Sequence, residues 1–247
     1  MIYLSKNGNA VKTYDGPSLI DGKRIVVILT GLKKGSANTK TGGMIQSFIM
    51  PHSIKPNEST KTGDDASVCG NCPQRPLIWK ATPESERVSD APCYVVTMHG
   101  PRSTWVANVE KYDLPVSDPE DVAALLEDNG LRLGTWGDPS AVPASHWAPM
   151  TKGRNHTGYT HQQNGAGSSR TDLMASVHSE KERQAAKRKG FRTFRIISSV
   201  SEVNTGEILC PASKEAGAKT DCNTCNLCMG DNHKKGLRAR DVAIVAH

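Results

Sequence analysis

Aromatic residues and long apolar runs are both scarce in this chain of 247 residues. Aromatic side chains make up only 5% of the sequence, so a core must be built mainly from aliphatic residues. No apolar run approaches the roughly 20 residues that cross a bilayer. The first twelve residues lack the apolar stretch of a secretory signal. We therefore predict a cytoplasmic protein with no membrane partner.

Two common catalytic signatures are also missing. The Gly-rich stretch 33–43 does not follow the G-x-x-x-x-G-K-[ST] order of a phosphate-binding loop. The sequence contains no H-E-x-x-H pattern, which would place two histidine ligands on one helix face. These absences argue against a P-loop enzyme and against a histidine-based metal hydrolase.

Cysteine is the residue type that carries the strongest pattern. The chain has seven cysteines, and an odd number would leave one thiol unpaired in a disulfide framework. In a reducing compartment, clustered cysteines are typical metal ligands. We define a first cysteine group and a second cysteine group, which are, respectively, Cys69, Cys72 and Cys93, and Cys210, Cys222, Cys225 and Cys228.

The second cysteine group combines a C-x2-C-x2-C run with a distant cysteine, Cys210, that is followed by Pro211. This combination is typical of the ferredoxin-like [4Fe–4S] pattern. Four thiolates can also hold a structural zinc ion in a tetrahedron. Zinc sites more often use two separated C-x2-C knuckles, so the spacing favours iron–sulfur and leaves zinc as the alternative.

The first cysteine group offers three thiolates, spaced C-x2-C-x20-C. Three protein ligands with one open coordination position are typical of a reactive metal site. The alternative is a structural zinc knuckle that His99 or a residue from elsewhere completes. We predict one or two [4Fe–4S] clusters as cofactors, with zinc as the alternative.

Segments with a strand pattern recur along the chain, and several have a helix pattern between them. This alternation predicts the α/β class. We predict one domain over 1–247, a small or incomplete (β/α) barrel with cysteine-rich metal-binding loops at the carboxyl ends of the strands. Its parts are an irregular β-rich stretch at 1–60, the first cysteine group at 61–100 and the second at 206–247. The predicted strands lie near 22–32, 44–51, 93–98, 131–139 (a short strand running into a turn), 156–162, 172–179, 191–199, 206–211 and 241–247, and the helices near 118–130, 138–147 and 180–189.

Polar side chains recur where these predicted strands end, and in barrels the chemistry lies at that edge. Besides Cys210 they include His99, Trp136, Thr160 and His247. We assign the cavity-lining, catalytic roles to Arg132, Asp138, Tyr159, His161 and His178. Each has an ordinary alternative: Asp138 can be a helix N-cap, and a single histidine at a strand end can be merely solvated.

Two arginines, Arg132 and Arg195, fall inside predicted strands. Charge is seldom buried without a partner, so these side chains either line the interior and hold an anionic ligand or face solvent. Alternation in such short strands does not decide between the two positions.

The chain is basic, with a formal net charge of +6 and a pI near 8.9. The densest basic segment is 181–195, and Lys234, Lys235, Arg238 and Arg240 lie near the second cysteine group. If nucleic acid binds there, phosphate contacts dominate, because no aromatic residues are interleaved for base stacking. The alternative function is therefore a zinc-stabilised nucleic-acid-binding module without catalytic activity.

Four stretches of the chain carry a resemblance to a known group of proteins. They are NTKTGGMIQSFIM, then VCGNCPQRP with the later PCYV, then LRLGTWGDP, and the closing CP…C-x2-C-x2-C…IVAH. With these stretches the chain resembles a group of uncharacterised phage-encoded proteins that look like divergent relatives of radical-SAM enzymes.

The resemblance implies a β/α barrel in which the first cysteine group binds a cluster. It also implies S-adenosylmethionine at the open iron, an unknown substrate, and the host-cell cytoplasm as the location of a phage-encoded protein. The first cysteine group departs from the C-x3-C-x2-C loop of that superfamily, and no separate Gly-rich adenosylmethionine loop is evident.

Overall fold

The computed structural model of the protein describes residues 1–232 and 240–246, and these form a mixed α/β structure with two five-stranded sheets. The strands, in chain order, are β1 (Ala10–Pro17), β2 (Arg24–Thr30), β3 (Ile45–Pro51), β4 (Leu131–Trp136), β5 (His156–Thr157), β6 (Tyr159–Thr160), β7 (Met174–Val177), β8 (Thr193–Ile197), β9 (Glu207–Leu209) and β10 (Asp241–Val245).

The helices are short, and polar caps or prolines begin several of them. Asp118 accepts a hydrogen bond from the Glu120 N–H ahead of α5, and Ser179 does the same for the Glu182 N–H in α7. The helices are α1 (Pro56–Thr62), α2 (Ala66–Cys69), α3 (Pro76–Ala81), α4 (Gly100–Trp105), α5 (Pro119–Leu125), α6 (Ala144–Thr151), α7 (Glu180–Arg188) and α8 (Cys222–Cys225).

The first sheet has the strand order β1-β2-β3-β4-β5. Its first three strands are antiparallel, with Val27 opposite Ile49, whereas β3, β4 and β5 run parallel. The run Ile25–Leu29 is fully buried, as expected for a central strand covered on both faces.

The second sheet has the order β6-β7-β8-β10-β9, and all its pairings are parallel. Only Gly158 separates β5 in the first sheet from β6 in the second. A Cβ atom at this position would overlap the end of the Leu173 side chain, so a larger residue here would require Leu173 to move. The chain thus passes directly from the edge strand of the first sheet into the edge strand of the second.

The largest apolar cluster lies on the first sheet and includes Trp147, Leu131 and Met150. Behind the second sheet the burial is partly ionic. Arg183 donates to the Asp241 carboxylate at 2.8 Å, and Arg195 donates to Glu207 at 2.8 Å. Removing one partner from such buried pairs costs about 3 kcal/mol or more, because the other charge is left unpaired.

These observations confirm the α/β class. No hydrogen-bonded ladder of the described residues joins β1 with β9, so the strands do not close into a ring by pairing. Most predicted strands are present, but the strand predicted at 93–98 is wrong. That segment is irregular, and Val96 and Met98 face solvent because no neighbouring strand pairs with them.

Within the described residues, no helix has both the length and the apolar character needed to cross a bilayer.

Candidate functional site

All seven cysteines line one cavity of about 300 Å³. The cavity lies along one face of the parallel strands of the two sheets, and alternate residues of the strands form its wall. Arg132 comes from β4, Tyr159 from β6, Phe194 and Ile196 from β8, and Ile244 from β10. Strands of both sheets therefore contribute to one site.

The loop of the first cysteine group is held in place by Arg75, which sequence analysis did not single out. Its guanidinium donates to the Asp65 carboxylate at 2.8 and 3.1 Å and to the carbonyls of Gly63 and Gly70 at 2.9 and 3.0 Å. The Cys93 N–H donates to the Gln74 carbonyl at 2.8 Å. Cys93, distant in sequence, is thereby brought next to the C-x2-C loop.

The second cysteine group is assembled by backbone contacts and one cap. The Cys210 N–H donates to the Ala243 carbonyl in β10 at 2.8 Å. Asp221 caps α8, which begins at Cys222, by accepting from the Thr224 N–H at 2.9 Å. The loop before β3 packs on α8 through Gly42, where a Cβ atom would overlap the Asp221 carboxylate.

Burial raises the pKa of six of the seven thiols, and nearby thiols of the same group raise most of them further. Cys72 and Cys93 raise the pKa of Cys69, and Cys210, Cys222 and Cys225 raise that of Cys228. Burial brings the pKa of Cys72 to about 12 and that of Cys222 to about 11. Without metal, these six thiols are thus protonated at neutral pH, and a bound metal ion would reverse this.

The cysteine sulfurs do not gather in a tight group of three or more. Among the described residues, one set of three or more cysteine, histidine, aspartate or glutamate residues has ligand atoms all within 4.8 Å of one another, and it is Asp15, His52 and Asp113. It contains no cysteine, and Lys12 is ion-paired with both carboxylates. Every trio of cysteine sulfurs therefore includes a pair more than 4.8 Å apart.

The structure brings four of the five predicted catalytic residues to this cavity. Arg132, Asp138, Tyr159 and His161 line it directly. The fifth, His178, lies behind His161 and contacts it. His99, which we considered as a ligand, is exposed at the start of α4, away from the lining residues.

Asp138 is a buried carboxylate with backbone donors on both oxygens. Oδ1 accepts from the Ser140 N–H at 2.9 Å and Oδ2 accepts from the His161 N–H at 2.8 Å. The first bond is the N-cap contact predicted from the sequence. Burial outweighs these bonds and raises the pKa of Asp138 to about 6.

The His161 and His178 rings meet nitrogen to nitrogen. Their Nε2 atoms are 3.1 Å apart, and the ring planes differ by 11°. The ring centres are 5.3 Å apart, so the nitrogens lie near the line between the centres and form an N–H···N hydrogen bond rather than a ring stack. One proton fits between them. Burial, and to a smaller extent His178, lowers the pKa of His161 to about 3.

Tyr159 and Phe194 form an aromatic wall, with ring centroids 4.3 Å apart. Burial raises the pKa of the Tyr159 hydroxyl well above its ordinary value, and the thiols of Cys228 and Cys222, which pack in the same cluster, raise it further. The wall therefore adjoins the second cysteine group.

Arg195 does not line the cavity. Phe194 and Ile196 point into it, so the residue between them points to the opposite face, where it pairs with Glu207. Neither position considered from the sequence was therefore correct for Arg195. Lys234, Lys235, Arg238 and His247 lie outside the described residues.

No protein-family model, curated protein or solved structure matches this chain.

Proposed function

We propose that this chain is an iron–sulfur enzyme resembling the radical-SAM type, with its clusters and its substrate in the cavity between the two cysteine groups. The convergence of all seven cysteines on that cavity carries the proposal. We read the parallel strands as an incomplete β/α barrel and the cavity as its mouth.

The sulfurs do not form the tight set that a single zinc ion requires. Four thiolates bound tetrahedrally to zinc at about 2.3 Å would hold their sulfurs roughly 3.8 Å apart. Every cysteine trio has a pair beyond 4.8 Å. A [4Fe–4S] cluster needs a wider set, because each thiolate binds a different iron atom.

The division into three and four thiolates supports two different roles. Cys69, Cys72 and Cys93 would hold a cluster with one iron free of cysteine, open to S-adenosylmethionine. The second cysteine group would hold an auxiliary or structural cluster. When bound, these groups would supply one-electron chemistry.

The chain's own residues would orient the substrate and exchange its protons. Asp138 lines the cavity and has a pKa of about 6, so it can take up or release a proton near neutral pH. His161 stays neutral in this range and can accept or donate a hydrogen bond. The Tyr159–Phe194 wall would keep water from the apolar part of the substrate.

The test is metal analysis of protein purified without oxygen, in the native chain and in the variants Cys72→Ser and Cys225→Ser. We expect about eight irons and eight sulfides per native chain and about half in each variant, since each variant loses one cluster. Cys225→Ser should keep a spectroscopic response to added S-adenosylmethionine, whereas Cys72→Ser should lose it. About one or two zinc ions, with no iron and no visible absorbance, would contradict the proposal.

One observation favours the second candidate, a zinc-stabilised module that binds nucleic acid. Lys181, Arg188 and Lys189 are exposed on or just after α7, on a helix that lines no part of the cavity. Such a module would lose affinity for duplex DNA steeply between 50 and 200 mM salt, by about tenfold or more. The double variant Lys181→Glu, Arg188→Glu should then remove binding without changing the metal content.

A further inference from the structure

The cavity contains a cation that the described residues leave without a carboxylate partner. The Arg132 guanidinium lines the cavity and donates to the Tyr94 hydroxyl at 2.6 Å. No Asp or Glu in the described residues forms an ion pair with it. A guanidinium has five N–H donors, so most of its donors have no partner within residues 1–232 and 240–246.

Three other arginines with little exposure have a carboxylate partner. Arg75 is paired with Asp65, Arg183 with Asp241, and Arg195 with Glu207. Arg192 is buried without a carboxylate partner in the described part of the chain too, but two carbonyls, those of Gly230 and Arg240, accept from its guanidinium. Charge without a partner is costly in a low-dielectric site, and the Arg132 guanidinium, with one hydroxyl as its protein partner among the described residues, has the fewest acceptors of these arginines. Each Arg132 nitrogen either has a hydrogen-bond partner or is accessible to solvent. The donors without a partner are therefore open to the cavity that Arg132 lines.

The charge balance of the cavity favours an anion. Lys40 is the second cation among the lining residues, and Asp138 is the one carboxylate among them. Asp138 already accepts backbone N–H donors on both oxygens. Arg132 also borders both cysteine groups, because it donates to Tyr94, the residue after Cys93, and lines the cavity together with Cys222 and Cys225.

The remaining wall is apolar. Tyr159, Phe194, Ile196 and Ile244 line the cavity beside Arg132. A ligand that satisfies both features carries an anionic group at one end and an apolar part at the other. Carboxylate and phosphate are the anions that match the planar fork of a guanidinium.

We propose that Arg132, with Lys40 as a second cation, anchors the carboxylate or phosphate group of a small, partly apolar molecule between the two cysteine groups. The identification of this molecule as the substrate rests on the proposed function. The anion subsite itself rests on Arg132 and the cavity, whether or not the cysteines hold clusters.

The test is calorimetric titration with benzoate, with phenyl phosphate, and with benzamide as a neutral ligand of similar shape. We expect benzoate or phenyl phosphate to bind and benzamide to bind at least about tenfold more weakly. Arg132→Gln should weaken anion binding by about tenfold or more, and Arg132→Lys should weaken it less. Arg188→Gln, which removes an exposed cation of α7, should leave it unchanged.

Each titration is made on protein purified without oxygen and again after chelator treatment. Binding that depends on Arg132 in both samples supports the subsite, even if metal analysis disproves the clusters. Binding seen after chelation but absent from the metal-loaded protein would overturn it, because Arg132 would then only offset thiolate charge. The proposal would also be overturned if Arg132→Gln and Arg188→Gln weakened anion binding equally. It would be overturned as well if Arg132→Lys and Arg132→Gln bound the anion with native affinity. Unchanged thermal unfolding of Arg132→Lys guards against a folding defect.

Discussion

The buried Asp138 carboxyl and the buried His161 imidazole differ in whether they can change charge near neutral pH. Asp138 has a pKa raised to about 6, whereas His161 has one lowered to about 3. Burial is the main cause in both cases, because it disfavours the charged form of an acid and of a base alike. Asp138 is therefore the acid of this pair that titrates between pH 5 and 7.

The raised pKa of Asp138 makes a specific contribution to stability. The unfolded carboxyl loses its proton near pH 3.8 and the folded one near pH 6, so this group makes the protein less stable as pH rises between those values. In the native chain, this carboxyl should lower the free energy of unfolding by about 2 kcal/mol as pH rises from 4.5 to 6.5, and we expect Asp138→Asn to abolish that decrease. Urea unfolding at the two pH values measures the difference.

The control for this experiment is Asp118→Asn, which changes an exposed N-cap carboxylate in α5. Its free energy of unfolding should show the native pH dependence. An Asp138→Asn variant with the native pH dependence would show that Asp138 is not the group that titrates.

At the scale of elements, loops that are distant in sequence position the ligands. The loop before β3 packs on α8 through Gly42, which has φ +61, and the following residue, Gly43, has φ +76. Alanine is strained at both positions, at a cost of about 1 kcal/mol. A Cβ atom at Gly42 would displace Asp221, whereas one at Gly43 meets no atom within 4 Å.

A comparison of alanine variants at Gly42 and Gly43 distinguishes the effect of backbone strain from the effect of losing the α8 cap. We expect Gly42→Ala to lower stability by about 2 kcal/mol, the sum of the strain and the lost N-cap, and Gly43→Ala by about 1 kcal/mol. On the proposed function, Gly42→Ala should also reduce the metal content of the second cysteine group, because α8 begins at Cys222. Thermal unfolding and metal analysis check both effects. Equal behaviour of the two variants would contradict a role for the packing.

The sequence predicted elements better than it predicted contacts. Continuous apolar runs identified β2 and β3, and the Ser179 cap identified α7. The run from Tyr94 to Met98 has the same composition as a strand, but it lacks a pairing neighbour, and a pattern does not show the neighbour. The position of the second cysteine group also depends on contacts that the cysteine spacing does not reveal, such as the packing of Gly42 against the Asp221 side chain.

The same limit applies to single charged residues. Arg132 and Arg195 both lie in strands and look alike in the sequence, yet one lines the cavity and the other pairs with Glu207. A shift of one residue in register exchanges the two faces of a strand. The sequence did not identify Arg75, because its role is to hydrogen-bond Asp65 and two backbone carbonyls, and these acceptors come together only in the folded loop.

At the scale of the whole molecule, buried histidines should govern acid stability. Burial lowers the pKa of His146, His156, His161 and His178, and that of His146 falls to about 4. Each of these groups binds a proton more readily when unfolded. Their contribution is complete above pH 6.5 and is lost as pH falls towards the folded values, which opposes the effect of Asp138.

His146 offers the clearest test of this effect. It is 7% exposed, packs between Tyr14 and Trp147, and is remote from the cavity lining. We expect His146→Phe to reduce the loss of stability between pH 7.5 and 5 by about 2 kcal/mol. Denaturant unfolding at both pH values measures it, with His99→Gln as the exposed control. A loss equal to that of the native chain would contradict this account.

The passage of the chain through Gly158 has a consequence for biosynthesis. The first cysteine group is encoded between β3 and β4, so a ribosome delivers it together with the first sheet. The second group follows Gly158, and Cys210 is fixed only when β10 offers the Ala243 carbonyl. Vectorial synthesis therefore leaves the cavity without the wall that β10 supplies until the last strand has emerged.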